Sequence, residues 1–217
     1  MKKAIALFAL LCALSAAAGA QSMHASPFEG RWAWNGQGEV VPEFTALVFF
    51  GNIMLLSEGD LPYYMGLPFV HAGGVIALEG PGGFEWQYRL SGNTLHLTDE
   101  DGESVSFARA GMQESPLEGL WRVTGGAGYD PHEEQLILFT GDIMAFNEDG
   151  RGFMGFGIEF EGMAFRPSLG ALEDELHFMP EDLHEEFLAS LLMYYNRSGS
   201  YLTLSHQGEE IALRRIY

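Results

Sequence analysis

The sequence predicts an all-β protein made of two tandem antiparallel β-barrel units, the second with one inserted short α-helix. Three observations predict this fold class. Three sequence blocks occur twice in the same order, short apolar runs alternate with Gly-containing turns, and one segment has helical periodicity. The 28 glycines and 16 phenylalanines suit closely turned sheets around an apolar interior.

The first 20 residues have the pattern of a secretory signal peptide. Lys2 and Lys3 form a charged start, an apolar run follows, and Ala18-Gly19-Ala20 resembles a signal-peptidase site. The apolar run is about eleven residues long, which is too short to span a bilayer. No later segment reads as a transmembrane helix. We therefore expect an exported protein, periplasmic or extracellular, that begins near Gln21.

The single cysteine, Cys12, lies inside the apolar run of this signal. A lipid-anchored form through Cys12 would need a small residue before the cysteine, and Leu11 stands there instead. Cleavage would remove Cys12 and both lysines, leaving nine arginines against 30 acidic residues, a formal charge of −21. We expect such a chain to repel nucleic acid and anionic lipid, and to lack lysine and thiolate chemistry.

The repeated blocks predict the domain organisation. Residues 26–32 recur as 115–121 at an offset of 89, and residues 46–54 recur as 136–144 at an offset of 90. A third block near the end of each copy recurs at an offset of 107. Duplication explains this order, and it predicts one unit at residues 26–110 and a second at residues 115–217.

The growth of the offset from 90 to 107 places 17 extra residues in the second unit. Near residues 180–192 the apolar side chains of Leu183, Phe187, Leu188, Leu191 and Leu192 fall on one helical stripe. This spacing predicts a short amphipathic helix. We expect it to lie over one open end of the second barrel.

The rest of the sequence is expected to form short strands joined by tight turns. Residues 44–50 and 135–139 are apolar, β-branched or aromatic runs, and each precedes Gly-Asn or Gly-Asp and a second apolar run. Residues 95–98 and 105–107 alternate in polarity on either side of an Asp-Gly turn. We interpret these pairs as β-hairpins.

Both units begin and end with the same residue types. Each opens with Gly-x-Trp on its first strand, at Trp32 and Trp121, and ends with an arginine on its last strand, at Arg109 and Arg215. This pattern resembles the lipocalin and fatty-acid-binding-protein superfamily, the calycins, and the small lipocalin-like domains of exported bacterial proteins. The resemblance implies an up-and-down barrel in which the tryptophan plugs one end and the arginine packs across it.

Two motifs resemble known catalytic signatures without their structural context. Residues 150–155 match the dinucleotide-binding fingerprint, but Phe156, Ile158 and Phe160 alternate as in a strand, so we interpret the motif as a hairpin turn. His184 begins a pattern like that of zinc proteases, but Leu188 stands where the second histidine would be. We therefore predict no metal site and no cofactor.

A cluster of acidic residues at 99–103 invites a calcium interpretation. An EF-hand loop starting at Asp99 would need glycine where Ser104 stands, and the matching turn at 205–209 lacks the acids. We favour a solvated hairpin turn. No serine-hydrolase elbow is present, and we predict no catalytic residue.

The candidate ligand-binding residues alternate on two matching strands. Trp86 and Tyr88 in the first unit, and Met193 and Tyr195 in the second, are spaced to face a barrel interior, and Phe187 belongs to the predicted helix. They are candidates to line a ligand cavity. Core packing is the role that we favour for the four strand residues.

The leading functional interpretation is an exported, non-enzymatic binding protein that holds a small apolar ligand or an envelope or extracellular protein in lipocalin-like barrels. Barrels of about eight strands hold one small ligand or are filled by side chains. An outer-membrane or structural barrel is one alternative, because the chain ends in Tyr217, although Arg215 shares a strand face with Ile211 and Leu213. An enzyme with an unrecognised carboxylate site is another.

Overall fold

The structure is a computed structural model that describes residues 26–38, 42–57, 63–79, 84–147, 152–169 and 187–217. The predicted signal peptide, including Cys12, and most of the predicted helix near residues 180–192 lie outside these ranges. Within them, no helix is long and apolar enough to cross a membrane.

Sixteen β-strands make up most of the described residues. In chain order they are β1 (Gly30–Gly38), β2 (Ala46–Phe50), β3 (Ile53–Ser57), β4 (Tyr63–Ala72), β5 (Val75–Leu78), β6 (Glu85–Ser91), β7 (Thr94–Thr98), β8 (Ser104–Ala110), β9 (Gly119–Gly126), β10 (Leu136–Thr140), β11 (Ile143–Asn147), β12 (Phe153–Glu161), β13 (Ala164–Pro167), β14 (Met193–Ser198), β15 (Tyr201–His206) and β16 (Glu209–Arg215). A helical turn at 187–190 precedes β14.

The first eight strands form a closed antiparallel barrel. Each strand from β1 to β8 pairs with the next one, and β8 pairs back with β1. The predicted Gly-Asn hairpin between β2 and β3 is present, and Gly51 adopts the positive φ of 57° that favours glycine in this turn. The predicted all-β fold with an antiparallel barrel is therefore confirmed, and the structure shows that this barrel has eight strands. We call β1 to β8 the first ring.

The remaining strands, β9 to β16, are hydrogen-bonded in the same cyclic order. Each pairs with the next, and β16 pairs back with β9. We call these strands the second ring. The end of each ring where β1 or β9 begins contains Trp32 or Trp121 and is called the Trp end. The opposite end is called the far end.

The two rings are joined by antiparallel pairing between β4 and β12, which we call the seam. Gly66 pairs with Phe153, Met65 with Met154, and Tyr64 with Gly155. Through this pairing all sixteen strands belong to one hydrogen-bonded sheet. The seam therefore holds the rings together through backbone hydrogen bonds as well as side-chain packing.

Each ring contains its own apolar cluster. Trp32, Phe49 and Phe107 belong to a cluster inside the first ring, and Trp121 and Phe165 belong to one inside the second. These clusters are formed by alternate residues of each strand, because successive side chains in a strand point to opposite faces. The interiors of both rings are occupied by these side chains.

A third apolar cluster lies between the rings. Val48 and Leu55 from the first ring belong to it together with Leu138 and Ala145 from the second. This contact explains why all five residues of β2 and all five of β3 are buried. One strand face packs inside the ring and the other against the neighbouring ring, so the runs are apolar throughout rather than alternating.

Polar and aromatic contacts supplement this inter-ring packing. The guanidinium of Arg31 lies 3.5 Å from the Asp142 carboxylate of the other ring. The rings of Phe50 and Tyr217 meet edge to face, 5.4 Å apart between centroids. Burial raises the pKa of the Tyr64 phenol, which belongs to the inter-ring cluster. Tyr217 is thus part of the contact between the rings.

Candidate functional site

The Trp end of the first ring is filled by Trp32 and covered by Arg109. Trp32 is fully buried, and its indole N–H donates a hydrogen bond to the carbonyl of Phe28 at 2.6 Å. The Arg109 guanidinium lies 4.3 Å from the centre of the Trp32 ring and donates to the carbonyls of Glu29 and Pro27. These contacts join the chain entering β1 to the end of β8.

The Trp end of the second ring has a related arrangement with two arginines. The Trp121 indole N–H donates to the Leu117 carbonyl at 2.8 Å. Arg215 lies 5.9 Å from the Trp121 ring centre, and Arg197 of β14 lies 5.6 Å from it and donates to the Pro116 carbonyl. Sequence comparison of the two copies missed Arg197, because the register of the matching hairpin places Leu90 at its position.

The turn before each first strand is held by a glutamate. Both carboxylate oxygens of Glu29 accept the N–H of Gly51, and the Glu118 carboxylate accepts the N–H of Gly141 at 2.9 Å. Burial raises the pKa of Glu29, backbone hydrogen bonds from Gly51 and Ser26 lower it, and the charge of Glu118 raises it. The two Trp ends are therefore close enough for these carboxylates to repel each other.

The predicted ligand-lining residues of the first ring, Trp86 and Tyr88, are half-buried and pack against its apolar cluster. The rings of Tyr88 and Phe28 meet edge to face, with centroids 4.7 Å apart. Trp86 stacks on Phe84, with ring centroids 5.8 Å apart. In this arrangement they fill the interior of the ring together with the buried side chains.

Met193 and Tyr195 occupy the matching positions of the second ring. Both pack partly buried against its cluster, and the Tyr195 hydroxyl donates to the Gly162 carbonyl at 3.0 Å. Phe187 lies apart from them in the helical turn and is 38% exposed. The structure therefore brings four of the five predicted ligand-binding residues into the ring interiors and leaves Phe187 outside them.

The helical turn at 187–190 lies at the far end of the second ring. The Gln207 side-chain amide donates to the Ser190 carbonyl, and the His206 imidazole lies 3.2 Å from the Leu192 carbonyl. A cleft of about 310 Å³ beside this turn is lined by Leu188, Ala189, Leu192, Glu161 and Arg166. The Arg166 guanidinium lies 3.3 Å from the Glu161 carboxylate, so the polar wall of the cleft is an ion pair, and Arg166 also lies 2.9 Å from the Glu159 carboxylate.

The seam exposes three large apolar side chains that sequence reasoning did not single out. Tyr63 is 56% exposed, Met65 51% and Met154 64%. Met65 and Met154 are direct partners across the seam, and Tyr63 follows Met65 on the same face of β4. We call these three residues the methionine strip.

The methionine strip continues the inward-facing side-chain rows of both rings. On β4 the row runs from Phe69 and Leu67, in the first core, to Met65. On β12 it runs from Phe156, in the second core, to Met154. The strip therefore connects the two cores across solvent-exposed surface. Met65 and Met154 are 89 residues apart, the same offset that separates the two copies of the first repeated block. This shared offset is the sequence signal that could have identified the two methionines as matching positions.

Acidic side chains are concentrated at the far ends of the rings, whereas arginines cap the Trp ends. The strand order shows that, in the described parts of the chain, each ring has a set of acidic residues in the turns and strand starts at its far end. They are Glu43, Glu79, Glu85, Asp99, Glu100, Asp101 and Glu103 in the first ring, and Asp130, Glu133, Glu134, Glu209 and Glu210 in the second.

The motifs considered for metal binding have structural partners where they are described. One Asp99 carboxylate oxygen accepts the N–H groups of Asp101 and Glu103, at 3.0 and 2.8 Å, which fixes the turn between β7 and β8. The described part of the chain contains no cluster of three or more His, Cys, Asp or Glu that could hold a metal ion. His184 lies outside the described residues.

Comparison with known proteins gives no family. No family model matches the chain, and no curated protein is detectably similar to it. Similar solved structures include the DNA polymerase III subunit beta from Pseudomonas aeruginosa, at 10% identity and a TM-score of 0.22, covering 90% of this chain and 60% of that one. Another is the DNA polymerase sliding clamp from the same organism with ligand, at 10% identity and a TM-score of 0.21, covering 89% and 58%.

A third similar structure is the DNA polymerase III beta chain from Streptococcus pneumoniae, at 9% identity and a TM-score of 0.16, covering 86% of this chain and 56% of that one. This chain thus spans 60% or less of the length of these structures. TM-scores this low give no information about function.

Proposed function

We propose that this protein is an exported, non-enzymatic binding protein built from two calycin-like barrels that arose by duplication, and that it binds its partner through the methionine strip. The observation that carries the proposal is the exposure of Tyr63, Met65 and Met154 where the inward-facing rows of the two rings meet. Contiguous exposed apolar side chains are typical of interaction sites.

The seam supports duplication because it relates matching residues by a local two-fold axis. Met65 pairs with Met154, its counterpart at an offset of 89. On either side, Gly66 pairs with Phe153 and Tyr64 pairs with Gly155, which exchange under the same offset. Two copies of one barrel paired through the same strand would produce this register.

The packing of the ring interiors favours the strip over an internal cavity as the binding surface. Trp86 and Tyr88, like Met193 and Tyr195, pack against clusters of buried side chains. Methionine adapts its shape to different apolar partners because its side chain is unbranched and polarisable. A surface with two opposed methionines therefore suits binding of an apolar segment without opening either barrel.

The proposal is tested by removing the apolar character of the strip. Met65→Ser/Met154→Ser is compared with Met163→Ser, a matched control whose methionine is also 64% exposed but lies in the β12–β13 turn. The uncharged dye Nile red is the probe, and circular dichroism verifies folding. We expect dye fluorescence to fall in the double variant and to persist in the control. Equal dye fluorescence in all three proteins would refute binding through the strip.

A further inference from the structure

We propose that the occupant of the methionine strip is a cationic amphipathic helix of a protein partner. This inference rests on the proposed function and adds the chemistry of the partner to it. It follows from the combination of the apolar strip with the charge distribution of the two rings, and each part of the argument excludes a different class of partner.

The apolar part of the argument concerns the geometry of the strip. Met65 and Met154 project from neighbouring paired strands, which lie about 4.8 Å apart. Successive turns of an α-helix are separated by about 5.4 Å, so apolar side chains at i and i+3 or i+4 match this spacing. A helix laid across the seam would place one such side chain against each methionine, as in helix-in-groove recognition.

The same face of the neighbouring strands is also apolar. Leu56 of β3 pairs with Met65, and Phe146 of β11 pairs with Met154. Tyr63 pairs with Phe156 across the seam and extends the surface along β4. These residues give the strip a continuous apolar floor, which fits the apolar face of a helix rather than a fully charged peptide.

The electrostatic part concerns the far ends, where β4 and β12 begin. Glu43 lies three residues before β2 and Glu133 three residues before β10, the first strands of the two hairpins whose second strands, β3 and β11, pair with β4 and β12. The arginines that contact Trp32 and Trp121 lie at the opposite ends. The far ends of the rings, where β4 and β12 begin, are therefore acidic, and this charge favours cationic partners and disfavours anionic ones.

The overall charge argues against a second copy of this chain as the occupant. The full chain has a formal charge of −19, and loss of Lys2 and Lys3 with the predicted signal would make it more negative. Two such surfaces would bring the acidic far ends together without lysines to compensate them. A cationic helix supplies the missing opposite charge on its polar face and the apolar contact on the other.

The test uses three synthetic peptides of about 18 residues, or about five helical turns. One has leucine and lysine in an amphipathic helical pattern, one has glutamate in place of lysine, and one keeps the lysines but has serine in place of leucine. Each peptide is titrated into protein expressed from the full-length sequence, and binding is measured by isothermal titration calorimetry. We expect the Leu/Lys peptide to bind, with a Kd about tenfold higher for Met65→Ser/Met154→Ser. Met163→Ser should leave the Kd unchanged.

A second pair of variants tests the charge. Glu43→Gln/Glu133→Gln should weaken binding of the Leu/Lys peptide and reduce its salt dependence, whereas Glu114→Gln, an exposed control in the chain before the second Trp end, should do neither.

Each other outcome overturns a defined part of the argument. Equal binding of the Leu/Glu peptide, or loss of Nile red binding in the strip variant with no peptide binding, would leave the proposed function standing and refute the cationic partner. Equal binding of the Ser/Lys peptide, unaffected by the methionine substitutions, would show binding by charge alone and refute the strip. A dimer in sedimentation equilibrium that is lost in the strip variant would identify a second copy as the occupant.

Discussion

The Arg109 guanidinium lies over the indole ring of Trp32, and the two residues are direct partners in the pairing of β1 with β8. Arg109 also donates hydrogen bonds to the carbonyls of Pro27 and Glu29 in the turn that precedes β1. One side chain therefore links the first strand, the last strand and the chain entering the ring. Because these contacts converge on a fully buried tryptophan, they are expected to contribute to stability as a coupled unit.

Trp32→Ala is expected to destabilise the protein by about 3–5 kcal/mol, because it leaves a cavity in the first core. Arg109→Ala should cost less, since part of its side chain is exposed to solvent. Their effects should not be additive, with a coupling of about 0.5–2 kcal/mol from the cation–π contact. Urea unfolding of the two single variants and the double variant measures this coupling. Strict additivity would contradict an energetic role for the contact.

In the second ring the contact with Trp121 is shared by Arg197 and Arg215, so each should contribute less than Arg109 does. Arg197→Ala and Arg215→Ala are each expected to reduce the urea midpoint slightly, and the double variant should lose more than either alone. Arg197→Leu should be tolerated, because Leu90 occupies the matching register position in the first ring. If Arg215→Ala lowered the urea midpoint as much as the double variant and Arg197→Ala had no effect, the contact with Trp121 would not be shared.

Local sequence patterns predicted the strands and hairpins but not the seam. The Gly-Asn turn after Phe50 and the apolar runs around it define a hairpin through neighbouring residues alone. The pairing of Met65 with Met154 joins residues far apart in the chain, and no periodicity within β4 or β12 specifies it. Burial of both faces of β2 likewise depends on the neighbouring ring, which explains why that strand does not alternate.

For the candidate site, too, local sequence patterns predicted side-chain direction but not contacts with distant residues. Trp86 and Tyr88 were recognised as inward-facing from their alternation, and they do pack toward the first core. Whether inward-facing side chains line a cavity or fill it depends on the side chains opposite them, which alternation does not reveal. Met154 was missed because residues 150–155 were interpreted as a hairpin turn, whereas β12 already begins at Phe153 and includes Met154 as an exposed strand residue.

Glu29 is expected to make stability depend on pH in a defined direction. Its pKa in the folded protein is raised above 4.5, chiefly by burial, so the folded state holds this proton more tightly than the unfolded state. As pH rises from below 4.5 through the raised pKa, the unfolded state loses the proton first, and the contribution of Glu29 to stability falls. The difference between wild type and Glu29→Gln in urea unfolding isolates this contribution from other carboxyl groups.

Glu118→Gln tests the electrostatic coupling between the Trp ends. Removing the charge of Glu118 should lower the pKa of Glu29, because that charge is one cause of its increase. As pH rises, the protein with Glu29 should lose stability relative to Glu29→Gln. This loss should be smaller when both proteins also carry Glu118→Gln. Carboxyl ¹³C NMR measures the Glu29 pKa directly. An unchanged Glu29 pKa in Glu118→Gln would show that the two carboxylates do not interact.

Gly66→Ala is expected to disturb the seam, because no space exists there for a methyl group. A Cβ at position 66 would lie within 2.8 Å of the Phe153 Cβ across the seam and still closer to the Leu55 side chain. Gly66 is not in the positive-φ region, so the strain would come from crowding rather than backbone conformation. Overpacking of this kind typically costs about 1–3 kcal/mol.

The matched control for Gly66→Ala is Gly125→Ala in β9, where an added Cβ meets no atom within 4 Å and φ is not positive. This substitution should leave stability unchanged or raise it slightly, because alanine restricts the unfolded chain more than glycine does. If the seam couples the two rings, Gly66→Ala should also increase amide hydrogen exchange of β12, which lies in the other ring. Destabilisation confined to the first ring, with unchanged exchange in β12, would show that the rings unfold independently and that the β4–β12 hydrogen bonds do not connect their stabilities.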